Sequence, residues 1–335
     1  MRTEIFEQPE VLERISQRVK VELERIEAVL PDPLLGTAFL ARGSSDNAAL
    51  LGRYVVEMSS GRPVSLVAPS IHTRYCAEVD YSGFLVVAMS QSGVTPEIVL
   101  TAERLREAGG VVVSIVNDPD SPLARAADVS VSTDAGPELA VPATKTVSAQ
   151  MAMTLLVASA LGPDRVGLGG FANLPAAVAG LLRDEDPVSE LARRWSDCDR
   201  MVVAARGFCF AAALETALKC KEAALVFAEG FSSADFLHGP IASVREGIPV
   251  LVIDGGGPTS PDTQDLAIRA ETMGASVALM STSEAAALRL PVSLPELFQP
   301  IAATVRGQQL AFFLARARGL DPDHPSGLSK VTLTS

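Results

Sequence analysis

Residues 83–95 read Gly-Phe-Leu-Val-Val-Ala-Met-Ser-Gln-Ser-Gly-Val-Thr, an apolar run that passes into a loop rich in hydroxyl groups. The apolar part, residues 83–89, predicts a buried strand. Residues 96–108 predict the helix that follows, because Pro96 suits the first turn of a helix and the pair Gly109-Gly110 ends it. A buried strand, a short polar loop and a helix together indicate an α/β fold with a parallel sheet.

The same alternation of strands and helices continues on both sides of this stretch. An amphipathic helix is predicted over 5–30. In the first half of the chain, the predicted strands are 37–41, 63–67, 83–89, 111–116 and 129–132, and the predicted helices are 43–59, 96–108 and 145–161. In the second half, the predicted strands are 201–205, 248–253 and 275–280, and the predicted helices are 210–228 and 262–273.

The two halves resemble each other in sequence. Residues 41–50 match residues 205–214 at six of ten positions without a gap, which sets an offset of 164 residues. The same offset relates three further pairs at element junctions: Val87 and Leu251, Gly93 and Gly257, and Gly110 and Gly274. An internal duplication is therefore predicted.

The duplication predicts the domain organisation. We expect an α/β fold of two tandem domains, each a doubly wound parallel sheet. The predicted boundaries are an N-terminal helix over 1–34, a first domain over 35–165, a connection over 166–197, and a second domain over 198–335 that ends in a tail.

Composition excludes several classes of function. The net charge of −12 argues against a nucleic-acid partner, because such binding draws on basic side chains. None of the four cysteines forms a C-x-x-C pair, so neither a metal site nor a redox dithiol is expected, and no cofactor is indicated. Without a run of about 20 apolar residues or an apolar leader, the chain is expected to be soluble, cytoplasmic and not bound to a membrane.

The loop of residues 90–95, called here the 90–95 loop, predicts a phosphate site. It offers hydroxyl and amide side chains next to free N–H groups at a helix N-terminus, which is the arrangement that binds anions without a basic residue. Ser44 and Ser45 occupy the equivalent turn of the preceding unit. The alternative for both turns is simple helix capping. Because residues 254–257 of the second copy read Asp-Gly-Gly-Gly, the ligand is expected in the first copy alone.

A second group of residues could carry proton transfer. One predicted helix bears Glu215, Lys219 and Glu222, of which Lys219 and Glu222 are three residues apart on one face, and His238 follows in a turn. The alternative is a surface ion pair and a structural histidine. Lys330 lies in the tail, where it could form a Schiff base with a sugar ketone if the tail docks rather than being disordered.

These motifs together resemble the SIS (sugar isomerase) family, which has flavodoxin-like domains. The likeness is to the isomerase half of glucosamine-6-phosphate synthases and to type II glucosamine-6-phosphate deaminases. It rests on residues 43–45, 90–95, 135–145, 213–222, 237–240 and 328–330.

The resemblance implies a role for each matching residue. Ser90, Gln91, Ser92 and Thr95 would bind the sugar phosphate, and Ser44, Ser45, Ser329 and the backbone of Val141 would line the sugar. Glu222 would move a proton between C1 and C2, Lys219 would support the charge, and Lys330 would meet the C2 carbonyl. His238 would help to open the ring, reaching in from the partner of a homodimer. Ala143 stands where the synthases have a serine, so a sugar contact there is in question.

The resemblance also implies a reaction. The synthases take ammonia from a glutaminase domain, which we do not expect in a chain whose first segment reads as a helix. The expected activity is therefore an isomerising deaminase that converts glucosamine 6-phosphate into fructose 6-phosphate and ammonia. The alternatives are a deglycase of fructosamine 6-phosphates, an aldose/ketose phosphate isomerase and a non-catalytic sugar-phosphate sensor.

Overall fold

The chain folds around two five-stranded sheets in which every pair of neighbouring strands is parallel. A computed structural model describes residues 1–162 and 166–330. The first sheet has the order β2-β1-β3-β4-β5 and the second β10-β9-β8-β6-β7. Numbered from the start of each copy, both sheets have the order 2-1-3-4-5, which is the flavodoxin-like arrangement. The predicted class, two tandem doubly wound α/β domains, is confirmed.

The strands of the first sheet are β1 (Gly36–Leu40), β2 (Val64–Leu66), β3 (Phe84–Ser90), β4 (Val111–Val116) and β5 (Val129–Ser132). Those of the second are β6 (Arg200–Ala205), β7 (Phe227–Ser232), β8 (Pro249–Asp254), β9 (Ser276–Ser281) and β10 (Leu288–Arg289). The helices before the second sheet are α1 (Arg2–Phe6), α2 (Gln8–Glu27), α3 (Ser44–Ser60), α4 (Pro69–Thr73), α5 (Pro96–Glu107), α6 (Pro122–Ala126), α7 (Lys145–Leu161), α8 (Gly169–Arg183) and α9 (Asp186–Arg194). The helices that follow the first strand of the second sheet are α10 (Phe210–Ala224), α11 (Ser233–Leu237), α12 (Ser260–Thr272) and α13 (Gln299–Ala317).

Strand register reproduces the duplication. Phe39 pairs with Val87 in the first sheet, and Val203 pairs with Leu251 in the second, which keeps the offset of 164. One of the predicted equivalent pairs, Gly110 and Gly274, is wrong by one residue. Gly274 has a positive φ of 88°, and in the first copy the residue with that conformation is Gly109, at 93°, and not Gly110. The second copy therefore carries one extra residue between its third and fourth strands.

Some predicted elements differ from the structure. The N-terminal helix 5–30 is two helices, because Pro9 in the first turn of α2 lacks the N–H that a continuous helix would need. The helix predicted over 210–228 ends at Ala224, and the edge strand β7 follows it after the left-handed residue Leu225. No predicted element corresponds to α13 or to β10.

The described residues form two compact units. The first unit consists of Glu10–Glu138 and Lys145–Ala172, and the second of Met1–Pro9, Leu139–Thr144 and Asn173–Lys330. The segment Leu139–Thr144 thus belongs with the second unit, although its neighbours on both sides belong to the first. The expected boundary at residue 165 and the end of the tail, residues 331–335, lie outside the described residues.

Each sheet carries its own apolar core. In the first, Val86, Ala88 and Val112 of the sheet pack with Ile98 and Leu105 of α5. In the second, the core contains Val202, Val250, Phe236, Leu266 and Ala270. Cys209 and Cys220 are buried. Within residues 1–162 and 166–330, no helix combines the length and apolarity that a membrane crossing requires.

Candidate functional site

The 90–95 loop lies at the topological switch point of the first sheet. β3 pairs with β1 on one side and with β4 on the other, and the connections from β1 and β3 leave the sheet in opposite directions. Ligands of open parallel sheets bind at this position, beyond the carboxyl ends of the strands. The turn at residues 41–43, which follows β1, and the 90–95 loop, which follows β3, therefore flank the same switch point.

The hydroxyl groups of the loop do not serve as helix caps. Thr95 is the N-cap residue of α5, but its side chain makes no capping hydrogen bond. Ser90 is 7% exposed, and its Oγ accepts a bond of 3.1 Å from the N–H of Gly93, which holds the loop in a tight turn. Gln91 and Ser92 are partly exposed. The capping interpretation is therefore wrong for Thr95, and the first-turn N–H groups of α5 are not capped by it.

Gly93 is required for a reason that the sequence did not reveal. Its φ is +64°, and a Cβ atom on it would lie 2.2 Å from Oγ of Ser121, which caps α6. The structure thus shows a close approach of the 90–95 loop to another part of the same unit.

Ser44 and Ser45 are the first residues of α3. Gly43, with φ of +59°, occupies the N-cap position and makes no side-chain bond. Ser45 is 7% exposed, whereas Ser44 is half-buried. The capping interpretation does not apply to this pair either, because both serines lie inside the helix.

The structure adds an ion pair that the sequence analysis did not name. Arg42, in the turn after β1, approaches Glu97 in the first turn of α5, with 3.1 Å between Nη2 and Oε2. The sequence did mark Arg42 as one of the repeated residues, because it lies inside the duplicated segment that matches residues 205–214. Nothing in the sequence, however, joined it to a glutamate 55 positions later.

In the second unit, Lys219 is buried between two carboxylates. Its side chain is 1% exposed, its Nζ lies 3.4 Å from Oε1 of Glu215, and it donates a hydrogen bond to Oε2 of Glu222. Glu215 is fully buried, whereas the side chain of Glu222 retains 24% exposure. The alternative of a surface ion pair is therefore wrong. A carboxylate that is partly accessible and bonded to a buried ammonium group is suited to general acid–base chemistry.

His238 belongs to a different segment from the Lys219 cluster. It follows α11 in an exposed turn, and its backbone N–H bonds to the carbonyl groups of Ala234 and Asp235. In the part of the chain that the structure describes, no hydrogen bond joins its ring to Lys219 or Glu222. The ring is exposed and is accessible to a ligand or a partner.

The tail docks onto the segment Leu139–Thr144 as far as it is described. Nζ of Lys330 donates a bond of 2.8 Å to the carbonyl of Ala140. The N–H of Ala140 donates to Oε1 of Glu4 at 3.1 Å, and the N–H of Val141 donates to the carbonyl of Asp323 at 3.0 Å. The backbone N–H of Val141 is therefore already bonded within the second unit.

The predicted residues divide between the two units. The first unit contains the residues predicted for the phosphate, Ser90, Gln91, Ser92 and Thr95, and two of those predicted for the sugar, Ser44 and Ser45. The second contains the other residues predicted for the sugar and those predicted for the reaction: Val141, Ala143, Lys219, Glu222, His238, Ser329 and Lys330. Within the second unit, hydrogen bonds join Lys219 to Glu222, and Lys330 to the residue that precedes Val141.

Comparison with known proteins gives a consistent result. The family model for the SIS domain matches residues 37–160 and 195–289, one match for each copy. A glutamine–fructose-6-phosphate aminotransferase from Pyrococcus horikoshii is 34% identical over 98% of this chain. The chain spans 57% of the length of that relative.

Solved structures show the same likeness. A protein from Silicibacter pomeroyi described as a phosphosugar isomerase aligns with a TM-score of 0.87 and 32% identity, over 96% of this chain and 99% of that one. The C-terminal domain of glucosamine-fructose-6-phosphate aminotransferase from Francisella tularensis aligns with a TM-score of 0.86 and 25% identity, over 96% of this chain and 97% of that one. With two matches to the family model and two sheets of the same strand order, the chain belongs to the SIS domain family and is related to phosphosugar isomerases.

Proposed function

We propose that this chain is an isomerising deaminase of an amino-sugar 6-phosphate, with glucosamine 6-phosphate as the substrate. The observation that carries the proposal is the buried ammonium of Lys219 between Glu215 and Glu222. A protein that only senses sugar phosphates needs an anion site and has no use for a buried acid–base cluster. Burying ionisable groups such as Lys219 and Glu215 is costly, and such clusters are concentrated where proton transfer occurs.

Phosphate binding is assigned to the 90–95 loop. The serine and glutamine side chains and the N-terminus of α5 offer hydrogen-bond donors, and an anion at a helix N-terminus is also stabilised by the helix dipole. The two uncapped hydroxyl-bearing turns at the switch point support this assignment. For a chain of net charge −12, binding by local donors is the available route to an anionic substrate.

Proton transfer is assigned to Glu222. Removal of the C2 proton from the open-chain amino sugar and its return to C1 converts the aldose into a C2 imine. Lys330 would then add to the C2–N double bond and ammonia would leave, which gives a Schiff base between Lys330 and C2. Water would add to this Schiff base and release the ketose and the free amine of Lys330, and Lys219 would stabilise the negative charge that develops on oxygen during the proton transfer.

A shared site in a homodimer is part of the proposal. The ring of His238 is exposed at the end of α11, in a turn that contains Gly239 and Pro240. In that position it would act on the ring oxygen of a sugar bound by a second copy. Sedimentation measurements of the oligomeric state, together with mixing of the inactive variants Glu222→Gln and His238→Asn, test this part. Recovery of activity on mixing is expected if the two residues act across the interface.

The direct test is ammonia release from a panel of amino sugars. We expect release from glucosamine 6-phosphate, with fructose 6-phosphate as the second product, and little from unphosphorylated glucosamine. Release from fructosamine 6-phosphates alone would favour a deglycase on the same fold. Interconversion of aldose and ketose phosphates without ammonia would favour a simple isomerase, and net formation of glucosamine 6-phosphate from ammonia would favour the reverse reaction.

A further inference from the structure

An arginine–carboxylate ion pair spans the switch point in each copy. In the first, Nη2 and Nε of Arg42 lie 3.1 and 3.2 Å from Oε2 of Glu97. In the second, Nε of Arg206 lies 3.2 Å from Oδ2 of Asp262. Each pair joins the turn after the first strand of its copy to the first turn of the helix that follows the third strand. The two arginines occupy the same position of the duplication, 164 residues apart.

In the first copy, this pair lies at the end of the helix that would hold phosphate. Glu97 is the second residue of α5, is 9% exposed, and carries its carboxylate within one turn of the 90–95 loop. A dianionic phosphate at the N-terminus of α5 would be repelled by a carboxylate on the same turn, and the repulsion is strong where water is excluded. A cation bonded to Glu97 cancels that repulsion.

Arg42 also faces a second carboxylate. Burial raises the pKa of Asp46, in the first turn of α3, and the nearby Arg42 guanidinium opposes that shift. Two acidic side chains thus flank the serine-bearing turns, and both lie within the field of Arg42. The side chain of Arg42 is 47% exposed, so its guanidinium is accessible to a ligand as well as to Glu97.

We propose that Arg42 is a positioning residue for the substrate phosphate. By pairing with Glu97 it removes the repulsion from the helix end and ties the turn of residues 41–43 to the 90–95 loop. It acts through Glu97 on phosphate affinity and takes no part in the proton transfer. The inference rests on the proposed function, because it assumes that the 90–95 loop binds phosphate.

The second copy provides the matched control, because the side chain of Asp254 fills its equivalent loop. Oδ1 of Asp254 accepts the N–H of Gly256 at 2.9 Å, and Oδ2 accepts the hydroxyl of Ser260 at 2.6 Å. The donors that would face an anion in this copy are bonded to an internal carboxylate. Arg206 therefore makes the same kind of ion pair as Arg42, but it does not lie beside a proposed phosphate site.

The experiment compares Arg42→Ala with Arg206→Ala. Calorimetry with inorganic phosphate gives Kd, ammonia release from glucosamine 6-phosphate gives KM and kcat, and thermal unfolding shows that each variant is folded. For Arg42→Ala we expect Kd and KM to rise about tenfold with kcat within about twofold, because a charge near a bound anion acts on affinity. Adding Glu97→Gln to Arg42→Ala should restore most of the affinity. Arg42→Lys should be intermediate, and Arg206→Ala should match the wild type.

Two results would overturn the inference. One is an equal effect of Arg42→Ala and Arg206→Ala, which would mean a purely structural bridge. The other is a failure of Glu97→Gln to restore affinity. If Ser92→Ala and Ser90→Ala also leave phosphate binding unchanged, the 90–95 loop is not the phosphate site, and the proposed function fails together with the inference. If those serine variants weaken binding while Arg42→Ala does not, the inference alone fails.

Discussion

Replacing Lys219 by methionine tests whether the buried cluster is what the structure shows. Methionine keeps most of the volume of the side chain and removes its charge. Nζ of Lys219 lies 3.4 Å from a carboxylate that is fully buried, and it is bonded to Glu222 as well. Removing one partner of a buried ion pair costs about 3–5 kcal/mol, because the remaining charge loses its neighbour in a medium that solvates it poorly. We therefore expect Lys219→Met to lower the free energy of unfolding by about that amount.

The matched control is an exposed pair with the same helical spacing. Arg269 and Asp265 are also four residues apart on a helix, with 2.8 Å between Nε and Oδ2, but their side chains are 60% and 49% exposed. Arg269→Met should cost no more than about 1 kcal/mol, since water screens exposed pairs. The double variant Glu215→Gln/Lys219→Met should regain much of the loss, because both charges are then gone.

Urea denaturation at pH 7 measures all three variants. The reasoning is refuted if Lys219→Met loses no more stability than Arg269→Met. It is also refuted if the double variant is less stable than Lys219→Met alone, because that would show that the lost interaction was not the one between the two charges.

Two further predictions concern the 90–95 loop and the cysteines. Gly93→Ala and Gly61→Ala both place alanine at a positive φ, of 64° and 63°, at about 1–2 kcal/mol each. Gly93→Ala also creates a clash with Ser121, whereas a Cβ on Gly61 meets nothing within 4 Å. Gly93→Ala should therefore cost about 1–3 kcal/mol more in urea denaturation, and equal losses would contradict this. Burial raises the pKa of the Cys220 thiol to about 12, so alkylation of the folded chain at pH 8 should label exposed Cys76 and leave Cys220 unmodified. Labelling of Cys220 before unfolding would contradict its burial.

The sequence predicted the first sheet well because its signals are local. Strands β4 and β5 and helix α7 begin and end where apolar runs, glycines and prolines predicted. The strand β7 was missed because Leu225, Val226 and Phe227 extend the apolar run past the end of α10. The duplication would have revealed β7, since the offset of 164 carries Val64 of β2 onto Ala228.

The complete burial of Lys219 could not be predicted, because it depends on a distant helix. α10 packs against α13, and Gly307 of α13 lies so close to α10 that a Cβ on it would be 2.0 Å from Oγ1 of Thr216. From the sequence, Lys219 and Glu222 are either an exposed ion pair with helical spacing or, given their neighbours Ala217 and Cys220, a partly buried one. The pair of Arg42 and Glu97 could not be predicted either, because the pairing of strands β1 and β3 is what brings its two turns together.

The central claim is that Glu222 moves a proton on a phosphorylated amino sugar. Its most direct test is ammonia release from saturating glucosamine 6-phosphate by Glu222→Gln, measured beside the Kd of inorganic phosphate for the same variant. Loss of a general acid–base residue lowers a rate by about 10²–10⁴-fold. We predict a fall of kcat in that range with Kd unchanged. A variant that releases ammonia at close to the wild-type rate, or a wild type that binds phosphate and releases no ammonia from any amino-sugar phosphate, would contradict the account.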